Sequence, residues 1–403
     1  MLFKIAWRNI WRSPVRSWII ISALTVGMFA GIFSATFING WMMQRLHDGV
    51  ETETGHLQIF RDGYRKHPEV SLYFNSQLAT VTSENPLVKG VSPRMVVQGM
   101  AASSETARGV KIYGIDPAAE KAVLNLHEKI IEGDWFESPY KRPIVIGQKL
   151  AGQLQLKLRS RIILRFQDVE GNITGGAFRV AGIFKTNNTA FDEANVWVKK
   201  DILASLLGIS AGKCHSMVVR LSDADKAMKV ARELQSELSG MEVVPWKELS
   251  PELGYMTELG NTYLYLFVII ILLALGFGII NTMLMVVLER VREIGMLMSV
   301  GMSRRRIFFM IVLETVMLSS AGGLSGILLG MIVIWRLSYT GIDLSIWSTG
   351  LTEMGFNPLV YPEWDVALVF NIALLVVLTG ILASLYPAWK ALKLKPSEAV
   401  RTI

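Results

Sequence analysis

The chain has 403 residues, 51% hydrophobic and 19% charged, with a mean hydropathy of +0.37 and a formal net charge of +7. It is too apolar for an ordinary soluble protein and too polar for one wholly embedded in lipid, so a membrane protein with a sizeable water-exposed domain is expected. A single cysteine, Cys214, excludes an internal disulfide, and five scattered histidines without ligand spacing argue against a metal site.

At the start, Lys4, Arg8, Arg12 and Arg16 recur every four residues, while Phe3, Trp7, Ile10 and Trp11 fall on the other side. This predicts an amphipathic helix over residues 1–17, lying in the cytoplasmic interface and turned into the first span near Pro14. A cleaved signal peptide does not fit, because the apolar run is too long and no small-x-small site follows it.

Residues 18–43 are long and apolar enough for a first transmembrane helix. Residues 44–260 are predicted as an extracytoplasmic α+β domain, large enough to be held by its own core. Within it 142–147 reads as a strand and 148–156 as a helix. Strands at 161–166 and 178–184 flank a turn-rich 168–176. Further on, strands at 217–221 and 241–244 bracket a helical pattern over 223–238, a β-α-β unit. Asp134 and the pair Asp192 and Glu193 read as turn or surface charges. There is no G-x-S-x-G, no H-E-x-x-H and no carboxylate pair beside a histidine, so a binding or mechanical module is expected rather than an enzyme.

A second span is predicted at 261–288, a third at 306–335 and a fourth at 366–387, where Pro387 should stop it. Residues 336–365 form an extracytoplasmic loop in which Arg336 faces Asp343, Glu353, Glu363 and Asp365. The tail, 388–403, carries Lys390, Lys393, Lys395 and Arg401 against Glu398. Together with the N-terminus and the segment 289–305, it holds more positive charge than the whole chain's surplus. The positive-inside rule therefore places both termini and 289–305 in the cytoplasm, and the basic balance reads as topology rather than nucleic-acid binding.

Residues 289–305 are a short, charged, glycine-punctuated elbow between two spans, shaped for something to dock against. Ile294, Leu297 and Val300 suggest a short apolar face, Arg292 and Glu293 flank it, Gly295 and Gly301 permit sharp turns, and Ser303 can cap the next helix. Glu314 lies about 12 Å of helix past Arg306 and needs a partner. It is either a polar link that transmits motion from the elbow or a satisfied carboxylate near the interface. Gly322, Gly326 and Gly330 form a small-residue stripe, open to packing within the chain or against a second subunit.

Several segments carry a family resemblance. The run Glu289-Arg290-Val291-Arg292-Glu293-Ile294-Gly295-Met296-Leu297, followed by Gly301, Ile307, Glu314 and the glycine stripe, resembles the signature of FtsX/MacB-type ABC permeases. The tail Tyr386-Pro387-Ala388-Trp389-Lys390-Ala391 with Pro396-Ser397-Glu398-Ala399-Val400-Arg401 is similar to that family's, and residues 6–16 resemble its entry helix. Residues 132–135, 146–151 and 178–184 add a likeness to lipoprotein-releasing permeases of the LolC/LolE type. The resemblance implies an α-helical membrane protein with four transmembrane helices, and a large extracytoplasmic α+β domain (a MacB-like periplasmic core domain) inserted between helices 1 and 2. It makes Glu289, Arg290, Arg292, Glu293, Ile294, Gly295, Leu297 and Gly301 the coupling helix that sits in a groove of an ATPase subunit. One departure stands out: LolC-type permeases carry a longer hairpin near residues 166–178, used to dock a carrier, and here that segment is short and polar.

No G-x-x-x-x-G-K-[ST] occurs, so no cofactor is expected in this chain, and ATP and magnesium belong to a separate ATPase subunit. The expected complex has two copies of that cytoplasmic ATPase and a second permease subunit, itself or a paralogue, in the inner membrane. An extracytoplasmic carrier or outer-membrane protein is a further candidate partner. The expected function is extraction or export of a lipidated or amphiphilic substrate. Lifting one 16-carbon chain costs about 12 kcal/mol at roughly 0.8 kcal/mol per CH₂, which demands coupling to ATP. Phe33, Phe37, Tyr263 and Phe267, at the mouth of spans 1 and 2, are candidate substrate contacts or interfacial anchors. The alternative is a mechanotransmitter that couples ATP hydrolysis to an extracytoplasmic partner without moving a substrate.

Overall fold

The computed structural model describes residues 2–12 and 14–392. Lys393, Lys395, Glu398, Arg401 and the motif from Pro396 to Arg401 lie outside the described residues, as does Ser13 of the entry motif. The chain forms two compact units: one gathers residues up to 42, 258–343 and from 359 onward, and the other 43–257 with 344–358.

The first unit is helical: α1 (Leu2–Arg12), α2 (Pro14–Asp48), α3 (Pro251–Glu289), α4 (Val291–Ser299), α5 (Arg304–Thr340) and α6 (Val366–Leu392). Four of these contain stretches long and apolar enough to cross a membrane. Pro14 opens α2 at its first helical position, where a missing N–H costs nothing, and the Ser17 hydroxyl donates to Ile10 O at 2.5 Å to fix the bend from α1. In α1, Ile10 departs from the expected stripe. It is buried with Ala6 against the bundle, while Phe3, Trp7 and Trp11 stay exposed on another side.

Glycines set how closely the helices approach. A Cβ on Gly322 of α5 would meet Leu24 Cβ and Ile21 O of α2, and one on Gly326 would meet Met28 Cβ and Thr25 O. Gly330 faces Ile32 at ordinary contact distance. The stripe therefore packs within the chain, along α2, and Thr25 Oγ1 reinforces the seam by donating to Gly322 O at 3.3 Å. On α6, Gly380 lies against Ser319 of α5, and on α2, Gly27 lies against Leu275 of α3. Pro387 does not stop α6, which continues to Leu392. Pro387, Ala388 and Ala391 are all buried, and that packing outweighs a kink worth about 3 kcal/mol. Helix α5 likewise runs past Arg336, to Thr340.

The second unit is built on a ten-stranded mixed sheet. Its strands are β1 (Leu57–Arg61), β2 (Val88–Ala102), β3 (Ala107–Ile115), β4 (Ile130–Gly133), β5 (Pro143–Gly147), β6 (Arg161–Gln167), β7 (Ile173–Phe184), β8 (Asn195–Lys199), β9 (Ser216–Leu221) and β10 (Met241–Pro245). The order is β10-β1-β9-β2-β3-β8-β5-β7-β4, with β6 closing between β2 and β7. The long β2 joins two lobes: residues 88–94 pair with β9, and residues 95–102 pair with β3. Strand β6 alternates cleanly, with Ile162, Leu164 and Phe166 inward and Arg161, Ile163 and Arg165 outward. The β6–β7 connection is shorter than expected, since β7 already begins at Ile173, and Asp168 Oδ1 accepts from Glu170 N and Asn172 N. The loop 344–358 belongs to this unit, which the sequence did not suggest.

Candidate functional site

Helix α4 is a nine-residue elbow whose sides do different things. Arg290, at its N-cap, donates from Nη1 to both carboxylate oxygens of Glu314, at 3.4 and 3.3 Å, and from Nε to Glu293 Oε2 at 3.1 Å. Glu293 accepts a second cation, Arg12 of α1, at 2.9 Å. Asn9 of α1 donates to Glu314 Oε1 at 2.6 Å. Five side chains thus join α1, α4 and α5 in one chain of charge-assisted bonds, with Glu314 buried between Arg290 and Asn9. The Glu314 carboxylate is satisfied, and its partners include the elbow's own arginine. Asn9 and Arg12 are partners that the sequence pattern does not single out. Asn9, next to buried Ile10 and three residues past buried Ala6, carries a sequence signal, whereas the exposed Arg12 carries none.

Ile294 is buried beside Ile10, Val287, Ile307 and Ile311, and Gly295 is buried with it. Leu297 is half-buried, whereas Val300 is 89% exposed. The expected face of Ile294, Leu297 and Val300 does not exist. Steps of three residues drift about 60° each around a helix, and Val300 already lies past the helix end. The outward side is instead Arg292, Met296, Ser299 and Val300. Gly301 adopts φ +100°, a left-handed conformation that a side chain disfavours, and turns the chain toward α5. Ser303 stands at the N-cap of α5 with extended backbone but makes no side-chain cap bond. Glu289 closes α3.

The proposed substrate aromatics are not brought together. Phe33 and Phe37 stack along α2 with Phe29 and Trp41 at four-residue intervals. Tyr263 and Phe267 are exposed on α3. An apolar groove of about 340 Å³ does open between α2 and α3, but lower down, at Ile19, Ala23, Gly27, Ala274, Gly278 and Thr282, in the half nearest α1.

In the second unit the end of α2 and the π-helical turn Gly49–Thr54 are tied to both lobes. Glu53 pairs with Arg45 at 3.1 Å and accepts from Asn188 Nδ2, while Asn187 Nδ2 donates to Asp48 at 2.7 Å. Glu51 takes Asn125 Nδ2 at 2.8 Å and Arg220 at 3.2 Å. Asp192 is not a surface charge. It is buried, accepts from Thr186 N and Oγ1, and burial pushes its carboxyl up to about 6. Asp134 does cap a turn, accepting from Glu137 N and Ser138 N. Cys214 is buried with its thiol pushed up to about 12, which makes it inert. Among the described residues no three His, Cys, Asp or Glu side chains cluster as metal ligands.

Residues 265–396 match the model of the FtsX-like permease C-terminal domain. The lipoprotein-releasing system transmembrane protein LolC of Xylella fastidiosa (strain 9a5c) is 23% identical over 336 residues, covering 79% of this chain and 78% of that protein. The uncharacterized ABC transporter permease YknZ of Bacillus subtilis (strain 168) is 31% identical over 265 residues, covering 64% and 61%. Among solved structures, the extracellular domain of a YknZ transporter from Gram-positive bacteria aligns at 18% identity with a TM-score of 0.34, covering 47% of this chain and all of that one.

Proposed function

We propose that the chain is an ABC-transporter permease of the FtsX-like family, as its C-terminal match and its likeness to LolC and YknZ support, and that it is a non-catalytic subunit that extracts or exports a lipidated or amphiphilic substrate. ATP and magnesium are bound by a separate cytoplasmic ATPase, present in two copies. A second permease subunit completes the dimer. Both termini and α4 face the cytoplasm, and residues 43–257 form the extracytoplasmic domain between the first two spans. The observation that carries the reading is the two-sided elbow. Its outer side exposes Met296, Ser299 and Val300 beside Arg292, while its inner side is bonded through Arg290 to Glu314 on α5. A push on the outer side is delivered to a span and to α1 together. The experiment is reconstitution with the ATPase subunit. Arg292→Glu is expected to lower its association and the substrate-stimulated ATPase rate, and an unchanged rate would sink the coupling role.

A second reading is favoured by one observation: the apolar groove lies in the half of α2 and α3 nearest α1, far from the aromatic mouth. A substrate lifted outward gains little from a groove there. In this reading the spans act as levers, and α2, about 52 Å long, is a shaft ending in the bonded turn at 49–54. Bound lipidated substrate between α2 and α3 during turnover separates the two, since a mechanotransmitter holds none.

A further inference from the structure

The loop 344–358 has two unlike faces. Ser345, Ser348, Thr349, Thr352 and Glu353 line a polar cavity of about 820 Å³ opposite Lys149 and Lys185. On the other side Ile346, Trp347 and Met354 are 88%, 63% and 71% exposed. A 3-10 turn (Ser345–Trp347) running into the helix Ser348–Glu353 produces this split. Three large apolar side chains clustered in so short a loop are unusual on a surface that meets only water.

The chain's own path says what covers them. The loop is closed at its base by a two-stranded ladder, Ile342 with Val360 and Asp343 with Leu359. Immediately before that ladder α5 ends at Thr340, and Val366 opens α6 soon after it. Trp347 is seven residues from Thr340 and within about 25 Å of it along the chain. Helix α6 runs antiparallel to α5, and the contact of Gly380 with Ser319 sets the start of α6 level with Val333, half a turn before Trp335. Trp335 and Tyr339 pack edge to face there and are exposed, as aromatic side chains are where a span leaves the hydrocarbon. The apolar tip is thus tethered to the membrane boundary and carries no basic residue that would favour an acidic partner.

We propose that Ile346, Trp347 and Met354 insert into the headgroup and acyl boundary of the outer leaflet, making the loop a lipid anchor for the unit it packs into. The proposal rests on the membrane topology given above. Its consequence is a foothold for the extracytoplasmic domain in the lipid, additional to α2 and α3, so that the state of the outer leaflet bears on the domain directly.

The test uses the full chain in lipid nanodiscs, with a nitroxide at Ile346→Cys, Met354→Cys and, on the polar face, Thr349→Cys. Buried Cys214 is left in place, and unsubstituted chain reports the background. Collision with oxygen, which concentrates in lipid, is compared with collision with a water-soluble nickel chelate. The expected result is an oxygen-to-nickel ratio several-fold higher at 346 and 354 than at 349. Equal ratios at all three positions would overturn the anchor, and so would low collision with both reagents at 346 and 354, which means cover by a second copy or another protein. The topology is read separately: Ser104→Cys in the second unit should react with a membrane-impermeant maleimide on intact cells. If it does not, the side assignment fails, whatever the nitroxides report.

Discussion

Arg290 and Glu314 lie 24 residues apart, on either side of the elbow, and meet at 3.3 Å with Glu314 buried. Glu314 takes its partners from outside its own helix, and Arg290 bridges it to Glu293 of α4. Arg290 leaves α3 at the point where α4 begins, so its guanidinium spans the bend, and Asn9 from α1 takes the remaining place on Glu314. Any rotation of α4 must carry this pair with it or break it. In a low-dielectric setting breaking it is costly, because a lone buried charge remains.

A double-mutant cycle measures that coupling. Glu314→Ala alone is expected to destabilise the protein by on the order of 3 kcal/mol, and Arg290→Ala with Glu314→Ala by less than the sum of the singles. The coupling energy should be about 1–3 kcal/mol in thermal unfolding in detergent. Additive effects would mean the two side chains do not interact.

The glycine stripe predicts an asymmetry. Gly326→Ala places a Cβ against Met28 and Thr25 O, and Gly322→Ala against Leu24 and Ile21 O, with little room to yield. Each should cost about 1–3 kcal/mol by forcing α2 and α5 apart. Gly330→Ala, with Ile32 at 3.5 Å, should be tolerated within about 0.5 kcal/mol. Equal losses at all three positions would argue against packing on α2.

Two opposed pH effects are built into the second unit. Asp192 holds its proton to about pH 6 when folded but only to about 3.8 when unfolded, so stability falls as pH rises through that window, by on the order of 3 kcal/mol. His56 and His215 run the other way. Each accepts a backbone N–H on Nδ1, from Leu221 and Val96, and burial holds each below 6.5. The unfolded chain therefore takes up their protons first, and stability is lost as pH falls below 6.5. Unfolding midpoints across pH 4–7 should show Asp192→Asn losing the decline on the neutral side and His215→Gln losing part of the decline on the acid side. Profiles identical to the unsubstituted chain would refute both assignments.

The outward face of α4 can be tested apart from its fold. Val300→Asp and Met296→Asp expose no core, since both side chains already face solvent. They should weaken ATPase association at least about tenfold with little change in thermal stability. Ile294→Asp should instead fail to fold correctly, because it buries a charge among Ile10, Ile307 and Ile311. Full association by both surface variants would move the docking site elsewhere.

The positions of the four apolar helices could be read directly from the chain, because a lipid core admits only long runs without charge and both sides of each run must be apolar. The elbow between α3 and α5 was equally readable, from its charge and glycines. The second half of the sheet domain was readable too: 161–166 alternates because one face is buried, while 217–221, buried on both faces, shows as a short apolar run. The first half was not. Strand β2 contains Gly90, Pro93 and Gly99, which break any local pattern, and it exists because β9, β3 and β6 pair along it. Helix α6 passing through Pro387 has the same origin, since burial overrides a local stop signal.

The sequence by itself determined that residues 289–305 would be an ordered, charged bend and that Glu314 would need a partner. Only the tertiary structure decided which side of the bend faces inward, that the partners are Arg290 and Asn9, and that the glycine stripe is taken up by α2. Periodicity fixes what lies on one helix face, but long-range contacts between residues about 300 apart, such as Asn9 with Glu314, depend on how the helices are arranged in space.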